Sequence, residues 1–327
     1  MPKRLIFILL SVLLLLSSVA DIILGSVNIP LSKILDIVFD NASGIEREIV
    51  LNIRMPKMLS AILSGAALGI SGLIMQTLFR NPLAGPYILG ISSGATLGVS
   101  IVIMLGSVIG VSMFNVWLTI GAAIVGAMLV LVAVLTVSNI VKNSVSLLII
   151  GMMIGNIASS IVGVIQNYSN PDALKLFILW TFGSLESVNW SQFKILCPLV
   201  LIGITFSIYM IKALNAMLLG DNYADSMGID IKRSRVLIII TTGLLAGSVT
   251  AFVGPIAFIG VAVPHIARGL MNSDDHRSLL PATILIGAII TLWCDILSHS
   301  FQHPLPISTV SAMIGAPIII YILVKRQ

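Results

Sequence analysis

Apolar runs long enough to cross a bilayer recur along the whole 327-residue chain, and the charges are confined to short islands between them. A hydrocarbon core about 30 Å thick is crossed by about 20 helical residues. In that medium every backbone N–H and C=O must be satisfied within the protein, so spanning elements are helices or closed barrels. Barrel strands alternate apolar and polar positions over segments of about 10 residues, a pattern this sequence lacks. Only 9% of residues are charged, where a soluble domain carries roughly a quarter. With a mean hydropathy of +1.10, the chain reads as an all-α polytopic membrane protein. One transmembrane domain over residues 1–327 is expected, because the loops leave no room for a separate soluble unit.

Ten spans are expected, at 5–25, 58–79, 87–106, 116–138, 145–167, 193–213, 235–254, 258–271, 279–298 and 306–324. The first run follows Pro2-Lys3-Arg4, as a signal peptide would. A retained helix is preferred, because the apolar pattern continues through "DIILG" to Gly25. Basic residues favour the cytoplasmic side. With the N-terminus inside, Lys33, Arg47, Arg54, Lys57, Lys175 and Lys194 lie outside, and the other twelve of the 18 Lys and Arg residues lie inside. The expectation is a multi-pass protein of the cytoplasmic (inner) membrane with both termini in the cytoplasm.

Two stretches echo each other. "LSGAALGISGLIMQTLFRNPLAGPYILG" and "TTGLLAGSVTAFVGPIAFIG" each run from a glycine-rich helix into a Gly-Pro element and an "ILG" or "FIG" turn. Five spans separate them, so they start on opposite faces, as inverted repeats of transporters do. "GAALG", "GATLG", "GSVIG", "GMMIG" and "GLLAG" fit G-x-x-x-G. Small residues four apart let helix backbones approach closely, here more within one bundle than at a dimer face.

Chemistry-bearing motifs are few. "GISSG" matches G-x-S-x-G, yet Ser92 opens a membrane span and the four histidines are all distant. The strand, helix and base that a nucleophile elbow needs are missing, so Gly90, Ser92, Ser93 and Gly94 read as a tightly packed helix start. "HSFQH" sets His299 and His303 at i, i+4 without a Glu or Cys to complete a ligand set; a solvated outer pair is expected. Asp21 and Asp295 lie near outer span ends, where a hydrogen-bonded structural role and a pathway role weigh equally. Cys197 and Cys294 are expected as buried thiols. No Gly-Lys dipeptide occurs, so no phosphate-cradling loop exists. No catalytic residue, metal site, cofactor or nucleic-acid partner is expected, and any ATP must be bound by another chain.

The inner loop "MLLGDNYADSMGIDIKRSR", from Met217 to Arg235, mixes glycines, small residues and acids before a basic cluster. Gly220 and Gly228 are plausible ends of a short helix.

Several stretches together resemble one family: "IRMPKMLSAILSGAALGISGLIMQTLFRNPLAGPYILGISSGA", "LLIIGMMIGNIASS", "LWTFGSL", "LLGDNYADSMGI", "GPIAFIGVAVPHIARGL", "DDHRSLLPATILIGA" and "LPISTVSAMIGAPIIIYIL". They are similar to the FecCD-type permeases of ABC importers for iron chelates, haem and cobalamin. The resemblance implies the BtuC-like ABC importer permease fold, ten helices with an inverted repeat. It also implies a second permease subunit, as homodimer or paired heterodimer, two cytoplasmic ABC ATPase subunits and an external or periplasmic substrate-binding protein. The cargo would be a metal chelate, a ferric siderophore first, haem second and cobalamin third.

Residue by residue, the resemblance implies an ATPase-coupling loop at Leu218, Leu219, Gly220, Asp221, Ala224, Met227, Gly228 and Ile229, with Ala224 facing the ATPase groove. It implies binding-protein docking at Arg54, Lys57 and His299. Asp221 stands where Glu is usual, Lys57 replaces an arginine, His299 replaces an arginine common in cobalamin-type members, and Pro304-Leu305-Pro306 replaces Glu-Leu-Pro. The rival readings are an ion-coupled secondary transporter, which needs polar ion sites at mid-membrane, and a membrane-embedded hydrolase.

Overall fold

A computed structural model describes residues 2–24, 29–38, 44–106, 115–141, 143–301 and 304–325. Its elements in order are α1 (Lys3–Ile23), α2 (Leu31–Val38), α3 (Ile45–Glu48), a π turn (Ile49–Arg54), α4 (Met55–Phe79), a 3-10 turn (Pro86–Leu89) and α5 (Ile91–Leu105). There follow α6 (Val116–Ile140), α7 (Ser144–Asn167), α8 (Pro171–Thr181), α9 (Trp190–Tyr209), α10 (Ile211–Leu218) and α11 (Asp221–Ser226). The chain closes with α12 (Ile231–Val253), α13 (Ile259–Met271), α14 (His276–His299) and α15 (Ile307–Lys325). Among the described residues, seven helices are long and apolar enough to cross a membrane, and three shorter apolar helices fall where α5, α13 and α15 were expected. They correspond to the ten expected spans.

The core is built on α4, which is buried on almost every side from Ser64 to Phe79. Two of its glycines show how. At Gly65 a Cβ would stand 2.1 Å from the Gly287 carbonyl oxygen of α14, and at Gly72 one would stand 1.6 Å from that of Gly260 in α13. The α4 backbone therefore touches two neighbouring backbones directly, the geometry small residues permit. Gly94 of α5 meets Gly126 of α6 in the same way. These G-x-x-x-G faces pack within the bundle; the "GSVIG" run falls largely outside the described residues.

The two echoed stretches meet in space. Each long helix, α4 and α12, gives way at a Gly-Pro element to a short helix, α5 and α13. The Tyr87 hydroxyl, one residue beyond Gly85-Pro86, donates to the carbonyl of Ile256, one residue beyond Gly254-Pro255.

Two features depart from expectation. The second span begins earlier, because α3, the π turn and α4 run as one helix from Ile45 to Phe79. The segment after α7 forms α8, capped by the Asn170 side chain accepting from Ala173 N, with Pro171 at its first position, where proline suits a helix start.

Candidate functional site

Two polar regions lie at opposite ends of the bundle. The inner one surrounds α10 and α11. Helix α10 ends at Leu218, and Gly220, at φ +119, turns the chain into α11. The α11 exit is a Schellman motif: Ile229 N donates to Ala224 O at 3.0 Å and Gly228 N to Asp225 O at 2.9 Å, with Gly228 left-handed at φ +77. Asp230 then caps α12 by accepting from Arg233 N at 2.9 Å. The expected short helix between two glycines is thus present.

Its faces are not those expected. Ala224 is fully buried against the rest of the bundle, so its side chain does not face outward as expected. Ile229 also packs on the core. The residues turned outward are Leu219, Tyr223 and Met227, 66%, 49% and 59% exposed. Three large apolar side chains at this end of the bundle form a surface of the kind that marks a protein contact. Sequence reading assigned Ala224 outward from the family pattern alone, whereas its side chain is buried while Tyr223 and Met227, four apart on one face, point out.

Three contacts tie this loop to the membrane helices. Arg80, in left-handed conformation at the C-cap of α4, bonds the Asp221 carboxylate, and its Nε donates to Met217 O at 3.3 Å. Arg235 of α12 stands 3.6 Å from the other Asp221 oxygen and donates to Val141 O, at the end of α6, at 3.0 Å. Asn215 of α10 accepts from His276 N at 2.9 Å, contacts His276 Nδ1 at 2.7 Å and donates to Asp275 at 2.7 Å; His276 Nε2 in turn lies 2.9 Å from Thr77 Oγ1 of α4. A groove of about 610 Å³ lined by Gln76, Arg80, Asn215, Leu218, Leu219 and Arg268 opens beside it. Sequence reading missed Arg80, Asn215, Arg235 and His276 as parts of this assembly, because their partners lie far along the chain.

The outer region is a buried cluster. Arg54 and Lys57 do not stand on the rim for a docking partner. They are 5% and 6% exposed, Arg54 turned toward the end of α1 and Lys57 toward α14. Arg54 Nη1 donates to the last carbonyls of α1, Ile22 at 2.5 Å and Ile23 at 3.1 Å, where a cation meets the negative end of the helix. Lys57 Nζ pairs with Asp295 Oδ2 at 2.6 Å. Asp21, 1% exposed, completes the interior beside Asp295 and Lys57.

His299 is not a solvated loop residue. It ends α14 with its side chain 11% exposed, its Nδ1 2.9 Å from Asp295 O and its Nε2 2.7 Å from Glu186 Oε1. That hydrogen bond holds the Glu186 carboxyl below the usual glutamate range. His303, the second histidine of the pair, lies outside the described residues. Both cysteines are free thiols, Cys294 buried and Cys197 only half-buried. Ser92 bonds Thr250 across 3.2 Å instead of a histidine.

A helical bundle with paired Gly-Pro breaks, short half-helices and a loop helix anchored on the ends of several spans is an arrangement of the kind membrane transport proteins use. The sequence profile of the FecCD transport family matches residues 10–325. Among the relatives, the hemin transport system permease protein HmuU of Yersinia pestis is 32% identical over 280 residues, 85% of this chain and 83% of its own. The ferric enterobactin transport system permease protein FepD of Escherichia coli K12 is 34% identical over 97% of this chain and 94% of its own. A metal-chelate type ABC transporter solved in an inward-facing conformation superposes with a TM-score of 0.88, at 28% identity, over 98% of this chain and 99% of its own. This chain belongs to the FecCD transport family.

Proposed function

We propose that the chain is the membrane-spanning permease subunit of an ATP-driven importer, that two such subunits pair around the translocation path, and that the cargo is a metal chelate. The observation that carries this reading is the outer surface of α7. This apolar helix is mostly uncovered, yet its open face bears Asn156, Ser159 and Ser160. Beside it a cavity of about 340 Å³ is lined by Ser92, Ser93, Thr96, Ser159, Gln166 and Thr181. Polar side chains at membrane depth belong against protein or water, not lipid. A second copy facing α7 would enclose this polar stripe and give it water.

The cargo follows from the relatives, whose names specify hemin and ferric enterobactin. A ferric siderophore is the first candidate and haem the second. Energy would come from two cytoplasmic ATPases seated on Leu219, Tyr223 and Met227, and cargo from an external binding protein. The concentration of basic residues at the α10–α14 end supports that end, and both termini, facing the cytoplasm.

Single cysteines in a background without Cys197 and Cys294 test the path. A membrane-impermeant thiol reagent should label Asn156→Cys and Ser160→Cys in reconstituted permease but leave Val132→Cys, on the open apolar face of α6, unlabelled. Equal protection of all three would remove the path from α7. Uptake of labelled ferric siderophore, competed by haem, then ranks the cargo.

A further inference from the structure

The α10–α11 element makes many contacts with the bundle, but one carboxylate stands apart. Asp221 opens α11, and its two oxygens face two different arginines. Arg80 belongs to the cytoplasmic end of α4, the most enclosed helix of the fold. Arg235 belongs to the first turns of α12 and holds the end of α6 through Val141 O. Three helix ends, α4, α6 and α12, therefore converge on the first residue of α11. The glycines at Gly220 and Gly228 leave α11 otherwise joined to the chain by flexible turns, with left-handed or positive φ at both ends.

We propose that Asp221 is the positioning residue that transmits movement of α11 to the membrane helices: its carboxylate, shared between Arg80 and Arg235, makes α11 and the inner ends of α4, α6 and α12 move as one piece. This rests on the importer reading above. The physical argument concerns direction more than strength. Arg80 and Asp221 are half-exposed, and such a pair adds little to stability. Asp221 turns one oxygen to each arginine, in a charge-assisted hydrogen bond with Arg80 and an ion pair at 3.6 Å with Arg235, and such contacts set the orientation of α11 against both helix ends. Displacing α11 toward or away from the membrane would draw both arginines with it. Arg80 lies at the left-handed C-cap of α4 (φ 45), immediately before the "NPLAGP" turn, so the pull is delivered where the core helix ends. Asn215, through His276 and Thr77, separately anchors the preceding helix α10 to α14 and α4.

The test uses the full assembly in proteoliposomes, permease with its ATPase and binding protein, and reads cargo taken up per ATP hydrolysed. Asp221→Asn keeps the shape but removes the charge. It should lower that ratio about tenfold, within the roughly 5- to 150-fold range of a coupling free energy between two sites. Asp221→Glu, which keeps both arginine contacts within reach, should retain most of it, a rescue that a merely structural role of the side chain volume would not produce. Arg80→Gln, on a different element, should reproduce the Asp221→Asn defect and serves if that variant is poorly made. An unchanged ratio in Asp221→Asn and Arg80→Gln, or no difference between Glu and Asn at position 221, would overturn the proposal while leaving the importer reading intact. Failure of the wild-type assembly to couple uptake to ATP at all would overturn that reading and the proposal with it.

Discussion

Lys57 Nζ lies 2.6 Å from Asp295 Oδ2 inside the bundle, and both side chains are almost wholly withdrawn from solvent. The pair joins the start of α4 to the end of α14, the same two helices whose backbones meet at Gly65 and Gly287. Removing one partner strands a buried charge, which costs about 3–5 kcal/mol. Lys57→Met should therefore lower the thermal midpoint of the purified permease by several degrees. Lys57→Met combined with Asp295→Leu should recover most of the loss, because an apolar replacement of a whole buried pair is often neutral. Equal midpoints for wild type and the single variant would mean the pair carries no weight.

Gly65 tests the helix crossing. Its Cβ would meet the Gly287 carbonyl oxygen at 2.1 Å, a backbone atom that cannot rotate away. Gly65→Ala should destabilise the permease by about 1–3 kcal/mol, the usual cost of overpacking. Gly121→Ala, with open space around the site, should leave stability unchanged or raise it, since alanine favours helix. Thermal unfolding of both variants in one detergent makes the comparison; a tolerated Gly65→Ala would mean the crossing relaxes freely.

Glu186 gives the outer face a pH dependence. Its hydrogen bond to His299 holds its carboxyl below the ordinary range. A carboxyl depressed in the folded state stabilises it above the unfolded glutamate pKa of about 4.3, and loses that contribution as pH falls below that value. With Glu186 more than half exposed, the effect is at most about 1 kcal/mol after solvent screening. Glu186→Gln should be slightly less stable than wild type at pH 7, and the two should converge as pH falls toward 3. A gap that widens on acidification would contradict the sign.

The α11 surface separates docking from folding. Tyr223→Asp with Met227→Asp changes exposed side chains only. The doubly substituted permease should be made and folded normally yet co-purify with about tenfold less ATPase, since losing two apolar anchors at an interface costs more than about 1 kcal/mol. Ala224→Trp should instead impair the permease itself, because no space surrounds that buried methyl. Full ATPase recovery with the double variant would move the docking surface elsewhere.

The membrane spans were legible because the 20-residue apolar run is imposed by bilayer thickness, whatever the tertiary fold. Gly220, Gly228 and the short helix between them were legible because turn chemistry is local. Orientation of side chains around that helix was not: a pattern match gave Ala224 the outward position that Tyr223 and Met227 hold. The same limit hid the fate of Arg54, Lys57 and His299. Sequence position puts them at the outer interface, where long cations commonly snorkel to water. Their actual partners, the end of α1, Asp295 and Glu186, are 31 or more residues away in sequence. The α8 helix was overlooked although "NPD" at its start is a local N-terminal signal.

The central claim is that this chain moves cargo only when a separate ATPase drives it. The direct measurement is uptake of a radiolabelled ferric siderophore into proteoliposomes containing the permease, its ATPase and its binding protein, with ATP inside or outside and with sodium and proton gradients imposed or collapsed. The absence of a phosphate-cradling loop from the sequence predicts that permease alone neither hydrolyses ATP nor accumulates cargo. The complete assembly should accumulate cargo in proportion to ATP hydrolysed, unaffected by either gradient. Accumulation by the permease alone under a sodium or proton gradient would contradict the account.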